Sequence, residues 1–253
     1  MKGRELTAPA IPSLSGNALK VLAAATMLAD HVGLVLLPGI PALRFIGRLA
    51  FPIFAFMIAE GCAHSRNRLR YFLQVLLLAT VCQVAYTVAM GSWFFCVPVS
   101  FSIAIALVLA LEKWKNALFA GRLWQKLLWG AVFLGGVAAV WLINRLLMLD
   151  YGFWGCMMPV AASLLRKTNH IPKKLARLDH NLIHVLAMGV CMIPLAVQLG
   201  PWQWWSLLAL PLLSCYNGRR GKYRLKYFFY IFYPAHLLAV QGLAMLLQFL
   251  EGR

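Results

Sequence analysis

Apolar runs of about 20 residues follow one another along almost the whole chain, each long enough to cross a hydrocarbon layer roughly 30 Å thick. Inside lipid a backbone must satisfy its own hydrogen bonds, which leaves helices or a closed barrel. The runs are continuous and do not alternate with period two, so they are helices. The expected fold is therefore all-α: a polytopic integral membrane bundle of about nine helices. The spans fall near 19–38, 43–62, 71–91, 94–112, 123–143, 146–165, 182–200, 202–216 and 227–250. Residues are 62% hydrophobic and 12% charged, well below the roughly 25% charged of soluble domains. Loops are short on both sides. The organisation reads as a cytoplasmic segment, 1–18, and a single transmembrane domain, 19–253.

A net charge of +17 invites a nucleic-acid reading, but the placement of the charge answers it. Of the 24 basic residues, only Arg44, Arg48, Arg145 and Arg253 lie away from one side of the expected bundle. The positive-inside rule puts that side of the plasma membrane, and the N-terminus, in the cytoplasm, with the C-terminus outside. No nucleic-acid partner is needed. Residues 1–18 lack an apolar core, and the first span carries Asp30 and His31 without a small-residue exit, so it reads as a retained anchor. The six cysteines are scattered, with no C-x-x-C and no histidine at ligand spacing, and read as small apolar fillers, with no metal site expected. Residues 166–181 are basic and contain Pro172, as a short interfacial helix would. Trp93, Phe94, Phe95, Tyr151, Phe153, Trp154, Trp202, Trp204 and Trp205 read as an aromatic belt.

Ionisable groups at membrane depth cost about 2.5–3.5 kcal/mol each on insertion scales, so each needs a partner or a task. Asp30 and Arg48 lie in the outer halves of adjacent antiparallel spans and are expected to pair, as a packing clamp or as part of a site. His31 and His236 lie near mid-depth. An imidazole with an unperturbed pKa near 6.5 can take and return a proton, which suits a general base or a nucleophilic relay. Glu60 is near an inner helix end, Asp150 opens a span on the outer side, and His64 and His184 are expected at the interface.

Lys20 and His31 are eleven residues apart, about 20° from three whole turns, so they share a helix face, with the lysine at the cytoplasmic mouth and the histidine roughly 16 Å deeper. A cation at the entrance and a base in the core suit a long anionic donor with a thin arm. Coenzyme A has that shape. Topology alone also explains a lysine there.

The stretch Met27-Leu28-Ala29-Asp30-His31-Val32-Gly33 resembles the opening helix of the TraX family, associated with N-acetylation of pilin. Residues 44–56, with Gly47-Arg48-Leu49-Ala50-Phe51-Pro52, and Ala59-Glu60-Gly61 resemble its second block. Tyr151-Gly152-Phe153-Trp154-Gly155, Tyr216-Asn217-Gly218-Arg219-Arg220-Gly221 and Tyr233-Pro234-Ala235-His236-Leu237 are similar to later ones. The family looks distantly like membrane acyltransferases that use acetyl-CoA and carry R-x10-H on the first helix. Here Lys20 replaces that arginine, so the catalytic role passes to His31 while a bidentate phosphate grip does not.

The resemblance implies an acetyltransferase. Acetyl-CoA, as co-substrate, would be held by Lys20, Arg66, Arg70, Tyr216, Asn217, Arg219 and Arg220. His31 would act as base or carry the acetyl group, Arg48 would stabilise the carbonyl oxygen, Asp30 would orient Arg48, and His236 would share the relay. Tyr233, Glu60 and Asp150 are candidate contacts to the acceptor, an amine or hydroxyl of a pilin-like peptide or a glycan. Two other classes use the same residues: a small proton-coupled transporter, and a scaffold whose buried charges lock packing.

Overall fold

The computed structural model describes residues 13–90, 94–223 and 225–251; the expectations placed on Lys2, Arg4, Trp93, Arg224 and Arg253 lie outside them. The helices are α1 (Gly16–Val35), α2 (Pro41–Gly47), α3 (Ala50–His64), α4 (Arg68–Met90), α5 (Val97–Ala120), α6 (Leu123–Leu146), α7 (Gly152–Ser163), α8 (Lys173–Ala176), α9 (Asn181–Leu199), α10 (Ala209–Ser214) and α11 (Lys226–Glu251). A 3-10 helix, Pro201–Leu208, precedes α10.

Among the described residues, seven helical stretches are long and apolar enough to cross a membrane: α1, α2 with α3, α4, α5, α6, α9 and α11. The chain is a multi-pass membrane protein. Two of the nine expected passes are shorter than a full span. Helix α7 has 12 residues, about 18 Å of rise, and α10 has six after the eight-residue 3-10 helix. Their surroundings account for this. Every residue from Gly155 to Ser163 is buried, and a pass clad in protein need not match the bilayer. Helices α4, α6 and α11 instead present exposed leucines such as Leu77, Leu127 and Leu246, an apolar face that only lipid solvates. The interfacial helix expected within 166–181 is the single turn α8.

The core lies where α1, α3, α5, α7 and α9 meet, around Leu19, Ile53, Phe56, Ile105, Met158 and Met188. The second expected span is not one helix: it breaks at Arg48–Leu49 between α2 and α3. Pro52 is the cause. It has no N–H to give the carbonyl of Arg48, and its ring crowds that carbonyl, which favours a break there.

Two ties define the ends of the bundle. At the end rich in basic residues, the start of α1 is held by the segment after α10. Leu14 N–H, before the cap, donates to Cys215 O, while the bonds from Gly16 N–H to Arg219 O and from Asn17 N–H to Arg220 O satisfy first-turn donors that a helix cannot satisfy itself. Gly218 and Gly221 have φ of +72° and +97°, and a Cβ on Gly221 would meet Ser15 Oγ at 2.8 Å. At the far end, Phe95 N–H donates to Met148 O, and Asp150 N–H to Phe95 O.

Candidate functional site

Asp30, on the last turns of α1, is the anchor of the far half. Arg48 Nη2 donates to its Oδ1 at 2.7 Å and Oδ2 at 2.9 Å, and Arg44 Nη1 donates to Oδ2 at 2.7 Å. The side chains of Asp30 and Arg48 are each 14% exposed. Two charge-assisted partners compensate the carboxylate where a lone charge would be costly. The expected Asp30–Arg48 pair is present; Arg44, read from sequence only as an outer-end charge, is its second partner. Helices α1 and α2 can approach this closely because position 47 is glycine. A Cβ there would overlap the Asp30 side chain.

One residue on, His31 turns its ring toward α11. His31 Nδ1 lies 2.9 Å from Met27 O, and His236 Nδ1 lies 2.9 Å from Phe232 O. A carbonyl oxygen only accepts, so both Nδ1 atoms carry a proton, and in the neutral rings both Nε2 atoms hold lone pairs. His236 Nε2 is 3.4 Å from His31 Nδ1, placed to accept a second branch from that N–H. The rings meet edge to face at 5.0 Å, and Phe232 stacks on His236 at 4.9 Å. His31 thus keeps a free Nε2, backed by a second imidazole that is 5% exposed.

Two hollows flank this region and share Met27, Phe54 and Tyr233 in their walls. A cleft of about 920 Å³ opens at the basic end, with Lys20, His64, Arg66, Arg70 and Arg220 among its lining, and runs inward to Met27, Phe54 and Tyr233. A chamber of about 450 Å³ begins at the same three residues and extends to the far end, lined by Asp30, His31, Arg44, Arg48, Asp150, Tyr151 and Gln203. Met27 is one helical turn before His31, so the histidine stands on the chamber side of the junction. Tyr151 does not join the aromatic belt. It stacks on Phe51 with ring centroids 3.7 Å apart, from a left-handed backbone (φ 59°) that a side chain enters only at a cost. Burial pushes the Asp150 carboxyl, in the connection before α7, above its usual range, against the charge of Arg48.

Of the residues expected at the donor, Lys20, Arg66, Arg70, Tyr216 and Arg220 line the cleft, and Asn217 and Arg219 do not. Asn217 Oδ1 is engaged locally, accepting from Arg219 N–H at 2.9 Å. Glu60, expected with the acceptor, lines the cleft at the basic end and not the chamber. It pairs with Arg166 and accepts from the Tyr216 hydroxyl at 3.1 Å. Burial and the Glu60 charge push the Tyr216 phenol up, so it stays a donor. Of the three acceptor candidates, Asp150 lines the chamber and Tyr233 lines both hollows. His184 lies in the first turn of α9, at a helix end as expected, but is packed inward at 4% exposed, with Nε2 2.8 Å from Asp179 Oδ1. Sequence reasoning passed over Gln203, 1% exposed, whose Oε1 accepts from Arg48 Nη1 at 3.5 Å. A glutamine among three tryptophans carried no signal.

The profile of the TraX protein family matches residues 15–244. The chain belongs to this family. Among curated proteins, this TraX-family chain is 28% identical over 258 residues to the "Probable fimbrial assembly protein FimC, serogroup H1" of Dichelobacter nodosus, covering 91% of the chain and 96% of that protein. No solved structure matches it. The matched region takes in every residue of the cleft and chamber described above.

Proposed function

We propose that this TraX-family protein is an acetyltransferase working inside the membrane. Acetyl-CoA enters the cleft from the basic end, which the positive-inside rule assigns to the cytoplasm. Its phosphates meet Lys20, Arg66, Arg70 and Arg220, while the thin pantetheine arm reaches the junction at Met27, Phe54 and Tyr233. The acceptor occupies the chamber and presents an amine or hydroxyl to His31 Nε2. His31 takes the acceptor's proton as the nucleophile closes on the thioester carbon, and its Nδ1–H, shared between Met27 O and His236 Nε2, lets the second ring bear part of the charge. Arg44 and Arg48 fix Asp30 and keep the chamber's charges balanced.

One observation carries this reading: an imidazole with a free nitrogen lines a chamber that shares wall residues with a basic-mouthed cleft. A general base with two approaches is what transfer between two large substrates requires. The relative's description as a fimbrial assembly protein supports a pilin-like polypeptide as acceptor. The test is purified protein in detergent with acetyl-labelled acetyl-CoA and a short peptide bearing a free N-terminus. The expected result is CoA thiol release matched by labelled peptide, absent with the N-blocked peptide and absent in His31→Ala. Thiol release that survives His31→Ala contradicts the assignment.

A further inference from the structure

The reaction proposed above needs a donor for the negative charge that forms on the thioester oxygen, and Arg48 is poorly free to give it. Its Nε donates to Arg44 O, its Nη2 is committed to both oxygens of Asp30, and its Nη1 faces Gln203 Oε1. This last contact settles the orientation of the Gln203 amide. A guanidinium has no acceptor, so the oxygen must face it and the NH2 must point away. Among the described residues that nitrogen has no hydrogen-bond partner, and it belongs to a side chain 1% exposed that lines the same chamber as His31. A buried donor left unpaired costs on the order of 1–3 kcal/mol, which a ligand oxygen recovers once the chamber wall opens to admit it.

We infer that Gln203 Nε2, polarised through its oxygen by Arg48, is the hydrogen-bond donor to the carbonyl oxygen of the thioester as it becomes an oxyanion. The inference rests on the acetyltransferase reading and moves the oxyanion role from Arg48 to Gln203, leaving Arg48 as its holder. In the step, the neutral acceptor nitrogen forms a bond to the carbonyl carbon and the π pair moves onto oxygen, against Gln203 Nε2–H. His31 Nε2 takes the proton from nitrogen. The pair then returns, the carbon–sulfur bond breaks, and the CoA thiolate leaves with the proton held by His31. The eight-residue 3-10 helix, longer than such helices usually run, places Gln203. It is pinned by Trp202 stacked on Phe45 at 4.7 Å, in the same α2 that carries Arg44.

The test compares wild type with Gln203→Leu, which removes the donor, and Gln203→Glu, which keeps the shape and replaces the NH2 by an acceptor. Each is measured for kcat, for KM of acetyl-CoA and of a short free-N-terminus peptide, for CoA binding, and for Tm in detergent. Loss of one oxyanion donor predicts a fall in kcat of about 10²–10³ in both variants, with both KM values within about twofold and CoA binding and Tm retained. Wild-type kcat in Gln203→Leu overturns the inference while leaving the acetyltransferase reading intact. So does a raised peptide KM with kcat preserved, which makes Gln203 an acceptor contact, and so does a lowered Tm with CoA binding lost, which makes it structural. A wild-type protein that releases no CoA overturns the underlying reading and this inference with it.

Discussion

At the scale of single residues, the account turns on His31 and the ion cluster beside it. Its Nε2 is the one nitrogen of the histidine pair that both holds a lone pair and borders the chamber. His31→Gln is expected to lower thiol release by 10²–10⁴-fold, the usual worth of a positioned general base, with Tm unchanged; an active variant would move the base elsewhere. Asp30→Asn has a different signature. It strands two guanidinium groups that now share one carboxylate, and breaking such a buried pair costs about 3 kcal/mol or more. The expected outcome is a clear drop in Tm in detergent, relieved in part by pairing it with Arg48→Met; additive losses would show that the three residues are not coupled. Much of this was legible in sequence, because charge is so costly at membrane depth that Asp30, His31, Arg48 and His236 stand out unaided. Gln203 was not: a neutral amide declares itself only when its surroundings show one half of it unpaired.

At the scale of elements, the site depends on two breaks in helical regularity. Pro52 ends the run between α2 and α3 and so sets the angle from which Arg48 reaches Asp30. Gly47, one residue before, lets α2 lie against α1. Gly47→Ala adds only a methyl group, yet it must displace Asp30. It is expected to lower Tm and thiol release together while leaving CoA binding at the other end of α1 unchanged; a silent Gly47→Ala would mean that the close α1–α2 contact does not matter. Span boundaries were readable from hydropathy because lipid imposes length on the outer helices. Helix α7 and the 3-10 helix escaped that rule, since protein surrounds them and their length answers to packing. The inward turn of Tyr151 was hidden for a related reason: an aromatic at a span end reads as a belt residue unless its left-handed backbone and its stacking on Phe51 are seen.

At the scale of the whole molecule, charge is sorted by end. The mouth of the cleft gathers Lys20, Arg66, Arg70 and Arg220 around Glu60, while Arg68 is taken up by Glu112 at 2.6 Å. If these cations hold the phosphates of the donor, Lys20→Ala and Arg220→Ala should each raise the KM for acetyl-CoA several-fold with kcat nearly unchanged. For Arg220, which is exposed, the effect should shrink as salt is raised, because exposed charges are screened within about 10 Å at 0.1 M. A fall in kcat at constant KM would instead place these residues in the chemical step. The central claim is that donor and acceptor reach His31 from opposite ends of one bundle, and vesicles of known orientation test it most directly. Membrane-impermeant labelled acetyl-CoA added to inside-out vesicles, whose basic ends face the medium, should release CoA and leave label on the membrane. Right-side-out vesicles and inside-out vesicles of His31→Ala should do neither. Equal release from both orientations would contradict the account.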